Sequence, residues 1–91
     1  MEFLPYESES EHYKEMQKKF EAKVGDKVYI FKTAERYENG WQNSWVAEMN
    51  LAVGHYGIVK GRSDLHGIFV DVPEVAERPL QYPYFVLRIK R

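Results

Sequence analysis

The spacing of apolar residues changes at Gly25, and this change restricts the chain to a helix followed by strands. Before it, Tyr13, Met16 and Phe20 are spaced three and four apart, which places them on one side of an α-helix. After it, residues 27–32 alternate between aliphatic and other side chains, with the period of two of a half-buried strand. The sequence therefore predicts one amphipathic helix in front of a sheet.

The predicted helix starts at Ser8 or Ser10 and ends near Ala22. A serine is a favourable N-cap, glutamates gather before residue 16, and lysines follow near the end, so both ends suit the helix dipole. A short apolar lead at residues 1–6, which Pro5 keeps out of a helix interior, precedes it. Further along, the predicted strands are residues 27–32, 56–60, 66–72 and 84–90, a turn covers residues 61–64, and one helical turn lies near residues 45–50.

These strands are short and no helix-length segment separates them after residue 55, which excludes a parallel βαβ arrangement. We therefore predict a mainly β fold, a small antiparallel barrel of about five strands with one N-terminal helix. Residues 1–22 form the lead and helix, and residues 23–91 form the barrel, within a single domain. The predicted barrel core is Val28, Ile30, Ile58, Val70 and Leu87.

Four stretches resemble Src-homology-3-like and KOW-type barrel domains. Residues 23–30 (KVGDKVYI) resemble their first strand, residues 54–59 (GHYGIV) and 67–72 (GIFVDV) a following strand pair, and residues 82–87 (YPYFVL) the tight turn and closing strand. The resemblance implies a Src-homology-3-like barrel with residues 33–54 as a long first loop. Small barrels of this kind occur as separate proteins in bacteria and tailed phages.

The composition argues against several classes of site. The chain has 91 residues and no cysteine, which excludes disulfides, a thiolate nucleophile and cysteine-based zinc sites. Pairing of the strands around the predicted turn would put His55 beside Val70 and Val59 beside His66, so the two histidines would lie roughly 13 Å apart, too far to share a metal. We expect no enzyme activity, metal or cofactor. Without an apolar run of membrane-spanning length or a leader segment, we expect a soluble cytoplasmic protein that has no membrane partner.

The aromatic residues suggest a binding function, because 15% of the chain is aromatic. In one interpretation these rings only fill the core, with the helix covering Tyr29 and Phe31 and with Trp45 closing the barrel end. In the other, part of the set is exposed beside arginine and lysine, as in protein-binding hot spots. Trp41 is the best candidate for an exposed contact. The predicted protein-binding residues are Arg36, Tyr37, Trp41, Trp45, Lys60 and Arg62.

Two alternatives stay open. The first is RNA binding by a KOW-like or ribosome-associated domain. A formal net charge of −1 does not indicate a basic face, but dispersed cations can converge in the fold. The candidate nucleic-acid residues are Lys60, Arg62, Arg88, Lys90 and Arg91. The second alternative is a structural subunit of a homo-oligomer, in which the helix docks on a neighbouring copy.

Overall fold

The computed structural model describes residues 5–63 and 65–90, with side chains from residue 10 onward. Residues 1–4 of the predicted lead, the turn position Asp64 and the cation Arg91 lie outside the described residues, and the other two lead residues, Pro5 and Tyr6, belong to the first helix rather than to an extended lead. None of the described helices is long and apolar enough to cross a membrane. In chain order, the elements are α1 (Pro5–Lys19), β1 (Lys27–Ile30), a 3₁₀ turn (Glu38–Gly40), α2 (Ala47–Ala52), β2 (Tyr56–Ser63), β3 (Gly67–Asp71), β4 (Leu80–Tyr82), a second 3₁₀ turn (Tyr84–Val86) and β5 (Leu87–Ile89).

The strands form one antiparallel sheet in the order β4-β3-β2-β1-β5. The five-stranded antiparallel sheet and the N-terminal helix confirm the coarse prediction, and α2 confirms the helical turn expected near residues 45–50. Among the described residues β4 and β5 do not pair with each other, so the sheet is open at both edges. The last strand returns to the first, with Val28 opposite Ile89 and Ile30 opposite Leu87.

Two strand predictions are wrong at the C-terminal end. The prediction of a continuous strand over residues 84–90 is incorrect, because residues 84–86 form a 3₁₀ turn and only Leu87–Ile89 are extended. The sequence prediction also missed β4. This three-residue strand lies between Pro79 and Pro83, which read as loop residues, but an edge strand needs fewer backbone donors and tolerates flanking prolines.

The predicted register between β2 and β3 is also wrong. Strand β2 continues to Ser63, opposite Gly67, and the register shifts between Val59 and Gly61 at a β-bulge. Val70 therefore faces Val59 rather than His55. The chain reverses beyond Ser63 because Gly67 adopts φ +114°, a conformation that side chains other than hydrogen rarely allow.

Four of the five predicted core residues are buried: Val28, Ile30, Val70 and Leu87. The fifth, Ile58, is only half-buried and lies opposite Asp71 on the other face of the sheet. Its inward neighbour is Gly57, where a Cβ would collide with the side chains of Val70 and Val72. The alternation of β2 therefore points Gly57 and Val59 inward and Ile58 outward.

Helix α1 docks on the sheet of its own chain. The buried Tyr13 ring lies 5.1 Å from the ring of Tyr84, and Gln17 Nε2 donates a 2.8 Å hydrogen bond to the carbonyl oxygen of Ser63. The helix begins before the predicted serine cap and ends at Lys19, before Ala22. A proline is tolerated in the first turn of a helix, where its missing N–H would have no intrahelical partner, so Pro5 is compatible with α1.

Candidate nucleic-acid interface

The side of the sheet opposite the core carries aromatic and basic side chains on three adjacent strands. On β1 the buried Val28 and Ile30 alternate with outward-facing residues, and the same alternation continues on β2 and β5. We call this surface the basic aromatic face. Its members are Lys27, Tyr29, Phe31, Tyr56, Arg88 and Lys90.

Strand pairing brings the tyrosines of this face together. Tyr29 lies opposite Tyr56 on β2 and opposite Arg88 on β5. The two tyrosine rings have a centroid separation of 5.0 Å and an interplanar angle of 51°. Tyr56 is 44% exposed, whereas Tyr29 is half-buried. The pair therefore presents one exposed ring that packs on a second, half-buried ring.

Each cation of the basic aromatic face lies over an aromatic ring. The guanidinium carbon of Arg88 is 4.4 Å from the centroid of Phe31. Lys27 Nζ and Lys90 Nζ lie 4.9 Å and 5.8 Å from the centroid of Tyr56. Such contacts hold a cation over the negative face of a ring without neutralising its charge.

A further cation lies at the margin of this face, and no carboxylate among the described residues forms an ion pair with the cations of the face. Lys32 Nζ lies 5.9 Å from the Phe31 ring centroid. Within the described part of the chain, the ion pairs join Lys19 to Glu15 and His55 to Glu74, and neither involves the face or Lys32. Although the sequence has a formal net charge of −1, this side of the sheet is locally basic.

An open cleft of about 300 Å³ adjoins the face beside the Tyr56 ring. Lys27, Tyr56, Ile58 and Asp71 line it, and Ile58 lies directly opposite both Lys27 on β1 and Asp71 on β3. Its volume is at the lower end of the range of about 300–1,000 Å³ that is usual for small-ligand sites. The cleft combines an aromatic ring, aliphatic surface, one lysine and the two carboxylates of Asp71 and Glu74.

The prediction that Trp41 is an exposed contact is wrong. Trp41 is completely buried, and its Nε1–H donates a 2.7 Å hydrogen bond to the carbonyl oxygen of His66. The loop folds back over the sheet because Gln42 N–H bonds to the carbonyl oxygen of Leu65, which draws the indole inward. Burial of large rings is the main source of stability available to a chain of this length.

The other loop residues divide into buried and exposed ones. Trp45 is half-buried against Tyr82, with a ring separation of 6.0 Å, and its Nε1–H bonds to Asn50 Oδ1. Tyr37 is 50% exposed, and the Arg36 guanidinium carbon lies 4.8 Å from its ring centroid. Only Arg36 and Tyr37 of the predicted loop set therefore form an exposed aromatic–cation pair.

The predicted basic residues do not come together as one patch. Arg62 donates hydrogen bonds to the carbonyl oxygens of Gln17 and Ala22, so its guanidinium binds the C-terminal end of α1. Lys60 is exposed at the bulge of β2. Arg88 and Lys90 belong to the basic aromatic face.

The structure separates His55 and His66 further than the sequence prediction did. His55 precedes β2 and bonds through Nδ1 to Glu74 Oε2 at 2.8 Å, whereas His66 lies beyond the other end of β2, with Nδ1 3.0 Å from Ser63 Oγ. At about 3.3 Å per residue, an eight-residue strand keeps them more than 20 Å apart. Among the described residues, no group of three or more metal-ligating side chains is close enough to hold a metal ion.

Sequence reasoning placed Lys27, Tyr29 and Phe31 opposite to the aliphatic set but missed Lys32 and the role of Tyr56 beside them. The alternation on β1 and near the C-terminus contained the available signal, since aromatic or basic residues alternate with aliphatic ones in both segments. The missing information was the pairing of β5 with β1. That pairing connects residues about 60 positions apart, and it places the outward-facing residues of β1 and of the C-terminal segment side by side on one face.

Three comparisons with known proteins complete the description of the site. No protein-family model, curated protein sequence or solved structure matches this chain.

Proposed function

We propose that the protein binds single-stranded nucleic acid on the basic aromatic face and has no enzymatic activity. The observation that carries the proposal is the placement of Lys27, Arg88 and Lys90 over the rings of Phe31 and Tyr56, with no carboxylate partner among the described residues. Single-strand binders combine such rings, on which bases stack, with cations that follow the phosphates.

The geometry favours unpaired bases over duplex. A base stacks on the exposed ring of Tyr56 by displacing the Lys27 and Lys90 ammonium groups from above it toward the phosphates, while Tyr29 supports that ring from the next strand. Arg88 then lies on the far side of Tyr29, and the Lys90 side chain reaches over the Tyr56 ring, so both cations are within reach of the adjoining phosphates. Bases in a duplex are already stacked on one another, so an aromatic platform on a sheet selects bases that are free to turn outward.

The Src-homology-3-like fold is a second part of the proposal. The antiparallel order, in which the last strand lies beside the first, and the 3₁₀ turn directly before β5 support it. In this proposal the open sheet is a barrel that is incompletely closed between β4 and β5.

The test measures fluorescence anisotropy of a labelled uridine octamer between about 50 and 200 mM salt. Each phosphate contact to a single strand contributes about −0.7 to the slope of log K against log salt. Arg88→Gln combined with Lys90→Gln should therefore make the slope shallower by about 1.4. Tyr56→Ala should weaken binding by roughly 5- to 150-fold, the loss of one stacked base, with a nearly unchanged slope.

Matched controls separate the face from general charge. Lys14→Gln combined with Lys18→Gln removes the same charge from α1, and Tyr37→Ala removes a comparably exposed ring from the loop. Both controls should bind the octamer like the original protein. Equal losses in the control and face variants, or no binding of the octamer at low salt, would refute the proposal.

A second candidate function is binding of a protein partner by the loop at residues 33–45. Tyr37 supports it, because this exposed side chain is held at φ 58°, a left-handed conformation that costs a non-glycine residue roughly 1–2 kcal/mol. Strain of this kind is concentrated at functional sites. The homo-oligomer alternative has less support, since Tyr13 of α1 is buried against the helix's own sheet and Phe20 packs on Tyr84.

Substitution of Tyr37 by Asn tests the loop hypothesis, because Asn tolerates the left-handed conformation better than Tyr does. We expect Tyr37→Asn and Arg36→Ala to abolish capture of a partner from a native lysate while the Tm of Tyr37→Asn stays equal or rises. Tyr56→Ala is the control and should leave that capture intact. Retention of every partner by both loop variants would exclude this function.

A further inference from the structure

One carboxylate lies at the edge of the basic aromatic face without a partner. Asp71 is half-buried at the end of β3, and its side-chain oxygens form no hydrogen bond or ion pair with another described residue. Lys27 lines the same cleft but is held over the Tyr56 ring instead. A half-buried acid without a partner reduces the attraction of this face for phosphate, so electrostatic binding alone does not explain its position.

The register places Asp71 where it meets the edge of a stacked base. Ile58 lies directly opposite Asp71, and Tyr56 is two residues before Ile58 on the same face of β2. Side chains at such diagonal positions are about 7–8 Å apart, close to the width of a nucleobase. A base that stacks on Tyr56 therefore lies over Ile58 and directs one edge toward the Asp71 carboxylate.

We propose that Asp71 makes this cleft selective for guanine, an inference that rests on the proposed single-strand binding. A carboxylate only accepts hydrogen bonds, through two oxygens side by side. Guanine offers two adjacent donors, N1–H and the N2 amino group, on its Watson–Crick edge. The match is bidentate, and both oxygens of Asp71 are satisfied.

The other bases fit this carboxylate less well. Adenine and cytosine each present one amino group beside a ring nitrogen that is itself an acceptor, so one carboxylate oxygen faces a lone pair. Uracil presents one N–H between two carbonyl oxygens, which repel the carboxylate. An unpaired lone pair next to a carboxylate costs binding energy, and a good bidentate contact discriminates between bases by roughly 5- to 150-fold.

The experiment compares labelled uridine octamers that carry a single central guanosine, adenosine or cytidine with the uridine octamer itself. Fluorescence anisotropy is measured for the original protein, for Asp71→Asn and for Glu77→Gln, an exposed carboxylate that lies outside the cleft and undergoes the same charge change. The original protein and Glu77→Gln should bind the guanosine octamer at least fivefold more tightly than the other three. Asp71→Asn should lose the preference for guanosine and favour the adenosine and cytidine octamers instead, because an amide presents one acceptor and one donor that match the amino group and ring nitrogen of those bases. It should also bind the uridine octamer slightly more tightly than the original protein does, because a negative charge has been removed.

The outcomes distinguish the two proposals. Equal binding of all four octamers by the original protein, with the salt dependence described above, overturns guanine selection and leaves single-strand binding in place. A guanine preference that persists in Asp71→Asn also overturns the assignment to this carboxylate. No binding of any octamer refutes both proposals together.

Discussion

Replacement of Trp41 by Phe tests whether this indole supports the fold rather than a partner. The substitution removes about two buried carbons, which at about 0.8 kcal/mol each contribute about 1.5 kcal/mol. It also removes the hydrogen bond from Trp41 Nε1–H to the carbonyl oxygen of His66, worth about 1 kcal/mol. Because the same oxygen accepts a 3.1 Å bond from Asn43 Nδ2, it is not left unsatisfied. The free energy of unfolding should therefore fall by about 2.5 kcal/mol.

Thermal and urea unfolding followed by circular dichroism measure this loss. For a domain of this size, 1 kcal/mol shifts the Tm by about 4–8 °C, so Trp41→Phe should lower it by roughly 10–20 °C. With an m-value of about 1 kcal/mol/M, the urea midpoint should fall by about 2.5 M.

Trp45→Phe is the matched control for this substitution. It makes the same chemical change at a half-buried indole whose Nε1–H bond to Asn50 is exposed, so the loss should be below about 1 kcal/mol. Equal Tm shifts for the two variants, or a shift below about 4 °C for Trp41→Phe, would refute the argument that Trp41 is a structural residue.

Two further predictions concern the docking of α1 and the response to high pH. Arg62→Gln should lower the free energy of unfolding by about 1–2 kcal/mol and speed amide exchange in α1, because it removes the hydrogen bonds to the carbonyl oxygens of Gln17 and Ala22. Lys60→Gln removes the same charge from the same strand, and an equal effect of that substitution would contradict this role of Arg62. Burial raises the pKa of Tyr82 to about 12, above its value of about 10 in the unfolded chain, so the folded state favours the neutral phenol. The free energy of unfolding should be independent of this group below about pH 10 and should fall between about pH 10 and 12. When the unfolding of Tyr82→Phe by urea is measured over the same pH range, the part of this fall that comes from Tyr82 should be missing.

The sequence predicted the helix, the antiparallel strands and α2 because each of these depends on spacing within a few residues. The alternation around Val28 was sufficient to identify β1 and its outward-facing Tyr29. Strand β4 was missed because a segment of three residues between two prolines has no period that can be recognised. The bulge at Lys60 was missed for a related reason, since an extra residue in one strand is defined only by the partner strand.

For the candidate site, too, the sequence predicted some features and the tertiary structure decided the others. The sequence contained the cations and rings of the basic aromatic face, but it also favoured Trp41, which the loop buries. It selected Arg62 by residue type, whereas the structure uses this side chain to bind the end of α1. Residue type indicates what a side chain can bind, and the surrounding chain decides whether the group is free to bind a partner.

By itself, the amino-acid sequence determined that a helix precedes a sheet and that the residues opposite the aliphatic positions of β1 and β5 are aromatic or basic. The tertiary structure alone decided that these two strands are neighbours, that Tyr56 joins them, and that α1 covers its own sheet. Local periodicity depends on the geometry of a few successive residues. The pairing of strands about 60 positions apart depends on which arrangement of the whole chain buries the most apolar surface with its backbone groups paired.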